Sequence, residues 1–211
     1  MEEFSVSSLE RSQLPQCRTL LVQAYSSNPL YKVILGRDSA GIRRNGRFMS
    51  IAAAAMRGET LVATGGGRVL GLLHFTPYPQ CSPWQWRTIR LMPRLVLASG
   101  LATPRVLAWR TAWEQIHPRE AHSHLGPVAV HPEFQGKGIG QKLVEHYCAL
   151  LDRSGEASYL ETDKPENVKL YSRFSFEVIK ERSVLGINNW FMWRPATCRR
   201  PGVAAAASPD G

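Results

Sequence analysis

Residues 131–147 read HPEFQGKGIGQKLVEHY, and this stretch limits the possible folds more than any other. Three glycines, a glutamine and a lysine fall between Gln135 and Gly140, and an apolar helical pattern runs over Gly138 to Arg153. Immediately upstream, His124 to Val130 reads as a strand. The order strand, glycine turn, helix is therefore expected here. The first N–H groups of a helix lack internal partners and carry the positive end of its dipole. Glycines let the main chain curl so that such donors converge on one anion. The composition suits a phosphate or pyrophosphate, and it equally suits a turn that only packs a strand on a helix. A Walker loop is excluded, because Gly140-Gln141-Lys142 supplies no Gly-Lys-Ser/Thr. A Rossmann fingerprint is excluded too: Gly136, Gly138 and Gly140 have the wrong last interval and come late in the chain.

The rest of the chain supplies strands at both ends with helices between. Phe4 to Leu9 alternates as a first strand. Ser12 to Ser26 reads as a helix capped by Ser12, broken by Asn28-Pro29. Asp38 to Arg57 is the next helix, stopped by Gly58. Glu59 to Thr64 and Arg68 to Phe75 read as a hairpin across Gly65-Gly66-Gly67. Pro77, Pro79 and Pro83 mark an irregular stretch, and Thr103-Pro104 starts a helix whose Val106, Trp109, Trp113 and Ile116 form a core face. After the glycine segment come a strand at Ser158 to Thr162, a short helix at Pro165 to Phe174, and strands at Glu177 to Leu185 and Asn189 to Trp193. The expected class is α+β with a mixed sheet, not a run of βαβ units. Residues 1–198 are expected to form one domain, and 199–211 (RRPGVAAAASPDG) a disordered tail.

Composition narrows the setting. No run approaches the ~20 apolar residues of a membrane span, and the acidic opening Met1-Glu2-Glu3 argues against a secretory signal. Cysteines 17, 81, 148 and 198 are far apart and show no metal-ligand spacing. They read as reduced thiols, hence a cytoplasmic protein without a metal. The net charge of +9 is dispersed, with no basic tract interleaved with aromatics, so nucleic acid is not expected as a partner.

The motifs carry a resemblance. VAVHPEFQGKGIGQKLV resembles the coenzyme A motif of the GNAT N-acetyltransferase superfamily, Gln/Arg-x-x-Gly-x-Gly/Ala, filled by Gln135, Gly138 and Gly140. YLETDKPENVKLYSRFSFEVIKE resembles the family's next strand and helix, with Asn167, Tyr171 and Phe176 in place and Ser175 where the family usually has glycine. Within the superfamily these residues are most similar to the puromycin N-acetyltransferase type. The resemblance is strong over residues 124–194 and architectural before that.

The resemblance implies a mostly antiparallel mixed sheet, flanked by helices and splayed by a bulge at His124 to Val130. It implies acetyl-CoA as co-substrate and no metal. The pantetheine arm would pair with Val128, Ala129 and Val130. The pyrophosphate would lie on the N–H groups of Gln135, Gly136, Lys137, Gly138, Ile139, Gly140 and Gln141, with Asn167 also on the cofactor side. Lys137 either adds charge there or is simply solvated. Tyr171 would protonate the departing thiolate. For a base, the family often uses a glutamate before the bulge, where this chain has Glu120, His122 and His124. His124 is the chosen candidate, expected to share a strand face with Val128; the alternative is a rim histidine and an amine that arrives deprotonated. Selectivity is expected in residues 28–45 and 76–103, which hold Tyr31, Tyr78, Trp84 and Trp86. The expected acceptor is a small-molecule amine, for a monomer or homodimer away from membranes. A protein or peptide acceptor, and a non-catalytic acyl-CoA-binding module, are the alternatives.

Overall fold

A computed structural model describes residues 3–26, 28–55, 58–81 and 86–197. The expected tail, Cys198 and Trp84 lie outside the described residues. Seven strands form one sheet in the order β1-β2-β3-β4-β5-β7-β6. They are β1 Ser5–Ser8, β2 Glu59–Gly65, β3 Arg68–Thr76, β4 Ser123–Val130, β5 Ser158–Thr162, β6 Glu177–Val184 and β7 Ile187–Arg194. Every neighbouring pair is antiparallel except β4 with β5. The helices are α1 Leu14–Ser26, α2 Pro29–Leu35, α3 Ser39–Ala55, α4 Trp86–Ser99, α5 Thr103–Glu114, α6 Ile139–Ser154 and α7 Pro165–Ser172. The α+β class and the mostly antiparallel sheet are those expected.

Local chemistry explains most boundaries. The β2–β3 loop is Gly66-Gly67, both at positive φ, which is what a two-residue turn between right-twisted strands requires. Most ends shift by a residue or two, and α5 stops at Glu114, which leaves Ile116 outside the helix expected to carry it; three departures are larger. Ser12 does not cap α1. Instead Glu10 caps a 3-10 turn over Arg11–Gln13 through a reciprocal bond with Gln13, and α1 begins at Leu14. Asn28-Pro29 ends α1 but also starts α2: the Asn28 carboxamide accepts from the Tyr31 N–H at 3.0 Å, with Pro29 in the first turn. The stretch expected to be irregular contains α4, which tolerates Pro93 within it.

The core has two faces. On one side of the sheet, α6 buries Leu143, Val144, Tyr147 and Leu151 against Leu73, Phe75, Leu125 and Leu160. The Tyr147 hydroxyl is fully buried but bonded to Ser158 Oγ at 2.8 Å, so its polar end costs little. On the other side, α1 packs Cys17, Leu20 and Leu21 on Val62, Leu72 and Ala129. Beyond it, α2, α3 and α5 form a satellite cluster around Leu30, Ile34, Phe48 and Val106.

Candidate active site

The site begins where β4 and β5 part. Their parallel pairing covers only Ser123↔Ser158 and His124↔Tyr159. Just beyond, Gly126 and Pro127 on β4 stand opposite His74 alone on β3, between the pairs Phe75↔Leu125 and Leu73↔Val128. One extra residue on one strand is a β-bulge, and Pro127, with no N–H to donate, fits there. The bulge reverses the alternation of the strand. The Ser123 N–H points to β5, bonding Ala157 O at 2.9 Å, whereas the His131 N–H points to β3, bonding Leu70 O at 2.8 Å. Both positions are odd-numbered, so an unbroken strand would have turned both the same way. Past the bulge it is therefore Val128 and Val130 that present N–H and C=O to the splayed side. Ala129, expected to do the same, spends its polar backbone on β3 opposite Leu72 and its side chain on α1.

The reversal also moves side chains. Leu125, Val128 and Val130 pack on the α6 face, while Ala129 packs on the α1 face. The expectation that His124 shares a face with Val128 is thus corrected: across the bulge, His124 matches Ala129.

The glycine segment continues from β4. A 3-10 turn over Pro132–Phe134 leads into Gly136 at φ 75 and Gly138 at φ 81, the residue preceding α6. No side chain caps α6, which leaves the first-turn N–H groups of Ile139, Gly140 and Gln141 without a capping partner. A Cβ built on Gly136 or Gly138 would meet nothing within 4 Å. Open space over two left-handed residues at an uncapped, 16-residue helix is a cradle that fits a pyrophosphate. The Gln135 N–H is held by Pro132 O at 3.4 Å, and its carboxamide donates to Val130 O at 3.2 Å. Lys137 lies over the Phe134 ring at 4.6 Å.

A cavity of about 1120 Å³ fills the splay and reaches from Gln135 past Val128 and Val130 to His124, Glu161, Asn167 and Tyr171. His124 Nε2 is 2.8 Å from Glu161 Oε2, with the carboxylate side chain 5% exposed. Burial pushes the imidazole toward its neutral form, but the charge and hydrogen bond of Glu161 outweigh that and hold its pKa above the usual histidine value. Burial likewise raises Glu161, and His124 more than reverses it, so the carboxylate is held below its usual range. Tyr171 is 6% exposed, and burial raises its hydroxyl pKa, so it keeps its proton. Asn167 donates to Thr162 Oγ1 at 3.1 Å, which ties α7 to the end of β5.

The acetyltransferase (GNAT) family profile matches residues 41–176. The chain belongs to the GNAT acetyltransferase family. Its activity class is acetyl-CoA-dependent acyl transfer. Solved structures agree on the fold. One from Corynebacterium glutamicum, described as histone acetyltransferase HPA2 and related acetyltransferase, superposes with TM-score 0.73 at 22% identity over 95% of this chain and 99% of its own. A GNAT acetyltransferase from Brucella melitensis in complex with acetyl-CoA gives TM-score 0.52 at 18% identity, over 95% and 93%. The ribosomal-protein-S18-alanine N-acetyltransferase of Escherichia coli gives 0.58 at 15%, over 96% and 99%.

In this GNAT protein the end of the cavity away from the glycine loop is aromatic. Tyr31, Phe48, Trp109 and Trp113 line it, linked edge-to-face with centroids 5.1 to 6.3 Å apart. Of the aromatics expected to set selectivity, Tyr31 is here, while Tyr78 is half exposed and not among the lining residues. The tryptophans of α5, expected as core, serve both as core and as wall. Sequence reasoning missed Glu161 as a site residue. The signal was available: Tyr159 and Glu161 alternate with the buried Leu160, so they face the His124 side. It also missed Asp163, which accepts from the Asn28 side chain at 3.1 Å and the Leu30 N–H at 3.2 Å, fastening α2 over the cavity.

Proposed function

We propose that this chain transfers an acetyl group from acetyl-CoA to the primary amine of a small molecule, by direct attack in a ternary complex. The observation that carries this reading is the single cavity joining the exposed edge of Val128 and Val130 to the His124–Glu161 pair, Tyr171 and an aromatic end wall. Acetyl-CoA supplies the reactive thioester. Val128 and Val130 offer main-chain groups to the pantetheine arm, and the Gly136 to Gln141 segment offers N–H groups to the pyrophosphate. His124, held by Glu161, takes the proton that an ammonium must lose to become a nucleophile. Tyr171, neutral because it is buried, returns a proton to the departing sulfur. The balance is one ammonium and one thioester giving one amide, one thiol and one proton.

The aromatic wall favours an amine with an apolar or aromatic body. The puromycin N-acetyltransferase likeness of the Leu160-Glu161-Thr162 to Tyr171 stretch points the same way. Three cysteines that are free thiols suit a reducing, cytoplasmic setting, and no described helix is long and apolar enough to cross a membrane. The test is release of CoA thiol from acetyl-CoA across a panel of aminonucleosides, arylalkylamines, polyamines and amino-terminal peptides. Turnover with the first two classes is expected. Turnover with peptides alone would replace the acceptor class, and thiol release with none would reduce the protein to an acyl-CoA-binding module.

A further inference from the structure

Three side chains beside the cavity come from separate places in the chain. Cys81 follows β3, His117 follows α5, and His122 leads into β4. Their ligand atoms all lie within 4.8 Å of one another. Cys81 Sγ is 3.7 Å from His122 Nε2, and the two imidazole centroids are 4.9 Å apart. A tetrahedral zinc with bonds of about 2.3 Å to sulfur and about 2.0–2.1 Å to nitrogen places those two atoms about 3.6 Å apart. One edge of such a tetrahedron therefore already stands.

Two further features point to an ion and not to chance packing. His122 is 3% exposed, and its Nδ1 lies 2.7 Å from the Glu120 carbonyl oxygen. A carbonyl only accepts, so Nδ1 carries the proton and Nε2 turns its lone pair toward Cys81. Metal-bound histidines are oriented by this kind of backing bond. His117 Nε2 is buried and has no hydrogen-bond partner. Orphaned buried nitrogens are rare, and a ring nitrogen of His117 lies within 4.8 Å of the other two ligand atoms.

We propose that Cys81, His117 and His122 bind one Zn²⁺ ion, with its fourth position open to the cavity that Cys81 and His117 line. One thiolate and two imidazoles are the borderline-soft set that zinc prefers, and three protein ligands leave the open position. Binding forms one Zn–S and two Zn–N bonds, and the thiol proton leaves to solvent. Cysteine spacing alone pointed away from a metal, because Cys81 precedes His117 by 36 positions and only the fold unites them.

The test uses the full chain, stripped with chelator and titrated with Co²⁺ as a spectroscopic stand-in. One equivalent should give thiolate-to-cobalt charge-transfer absorption, and Zn²⁺ should displace it. Cys81→Ser should abolish that absorption and weaken Zn²⁺ binding by about 100-fold or more, at or beyond what loss of a supporting group costs. His122→Ala should weaken it as well, whereas Cys17→Ser and Cys148→Ser should change nothing. Absence of the absorption in the parent protein, or its survival in Cys81→Ser, overturns the proposal. Should the variants fail to fold, alkylation of the parent protein mapped by peptide decides: Zn²⁺ must protect Cys81, and equal labelling with and without the ion overturns the site.

Discussion

Ser175 occupies a turn that Tyr171 depends on, and it does so at a cost that can be removed. Its φ is 64, in the left-handed region, where an L side chain costs roughly 1–2 kcal/mol. The turn closes α7: the Phe174 and Phe176 N–H groups both bond Tyr171 O, at 2.9 and 3.3 Å, and Phe176 is buried against the Tyr171 ring. The Ser175 side chain is exposed, so little contact is lost on its removal. Ser175→Gly relieves the strain but frees the unfolded chain, which returns about 0.4–1 kcal/mol. The net gain is about 0.5–1 kcal/mol. For a chain of this size that raises Tm by about 1–4 °C. The assay is a thermal melt of the parent, Ser175→Gly and Ser175→Ala, with turnover measured alongside. Ser175→Ala keeps the strain and should leave Tm within about 2 °C with no consistent gain, since an exposed substitution changes stability by about 0.5 kcal/mol or less. A glycine variant that melts lower, or an alanine variant that melts equally higher, would refute the argument that backbone conformation sets the cost.

Gly138→Glu should fold, since a side chain at φ 81 costs only about 1–2 kcal/mol, yet lose CoA binding; saturating CoA at 100 times its Kd should stabilise the parent by about 2.7 kcal/mol and leave this variant's melt unmoved. Tyr171→Phe keeps the ring and should lower kcat by ~10²-fold or more with unchanged CoA affinity; full turnover would return Tyr171 to a packing role. With chelator present, the rate should rise with pH through a value above histidine's usual ~6.5, because His124 must lose its proton and Glu161 opposes that. Glu161→Gln removes both raising influences and leaves burial, so this limb should move to lower pH; a pH–rate profile in which it stays put would show that the substrate amine is titrating instead.

Sequence was a good guide wherever the determinant is local. The glycine turn at Gly66-Gly67, the start of α5 at Thr103-Pro104 and the helix after Gly138 follow from backbone preferences of a few adjacent residues. The substitution of Ser175 for glycine raised a question about the turn, and the positive φ answers it: the turn keeps the geometry glycine would have taken. Asn28-Pro29 reads in the sequence only as a break, and the helix it also starts is missed for a physical reason. A residue that cannot continue one helix is well suited to cap the next, and only packing of Leu30 and Ile34 on α3 and α5 decides that α2 forms.

The site itself depends on register, which no local rule supplies. Gly126-Pro127 announces an irregularity in β4, yet the identity of the exposed groups turns on which way the alternation restarts. A strand without the extra residue would have kept odd positions toward β5 throughout, exposing Ala129 and burying the polar edges of Val128 and Val130 in the β3 ladder. With it, the hydrogen-bonding groups of 128 and 130 swing to the splayed side. His124 lies before the bulge and pairs with Tyr159, so its place on the face of Tyr159 and Glu161 is set by β5 and not by the insertion. The inserted residue thus makes the edge for an extended arm and sets it against a proton acceptor that β5 already holds. A deletion of Gly126 would be expected to turn that edge back into the β3 ladder and to leave His124 beside Glu161. CoA affinity should then fall, with the fold judged from the melt, while the acid limb of the pH–rate profile at saturating CoA stays in place. CoA affinity left intact would show that the edge forms without the bulge and that register does not make it.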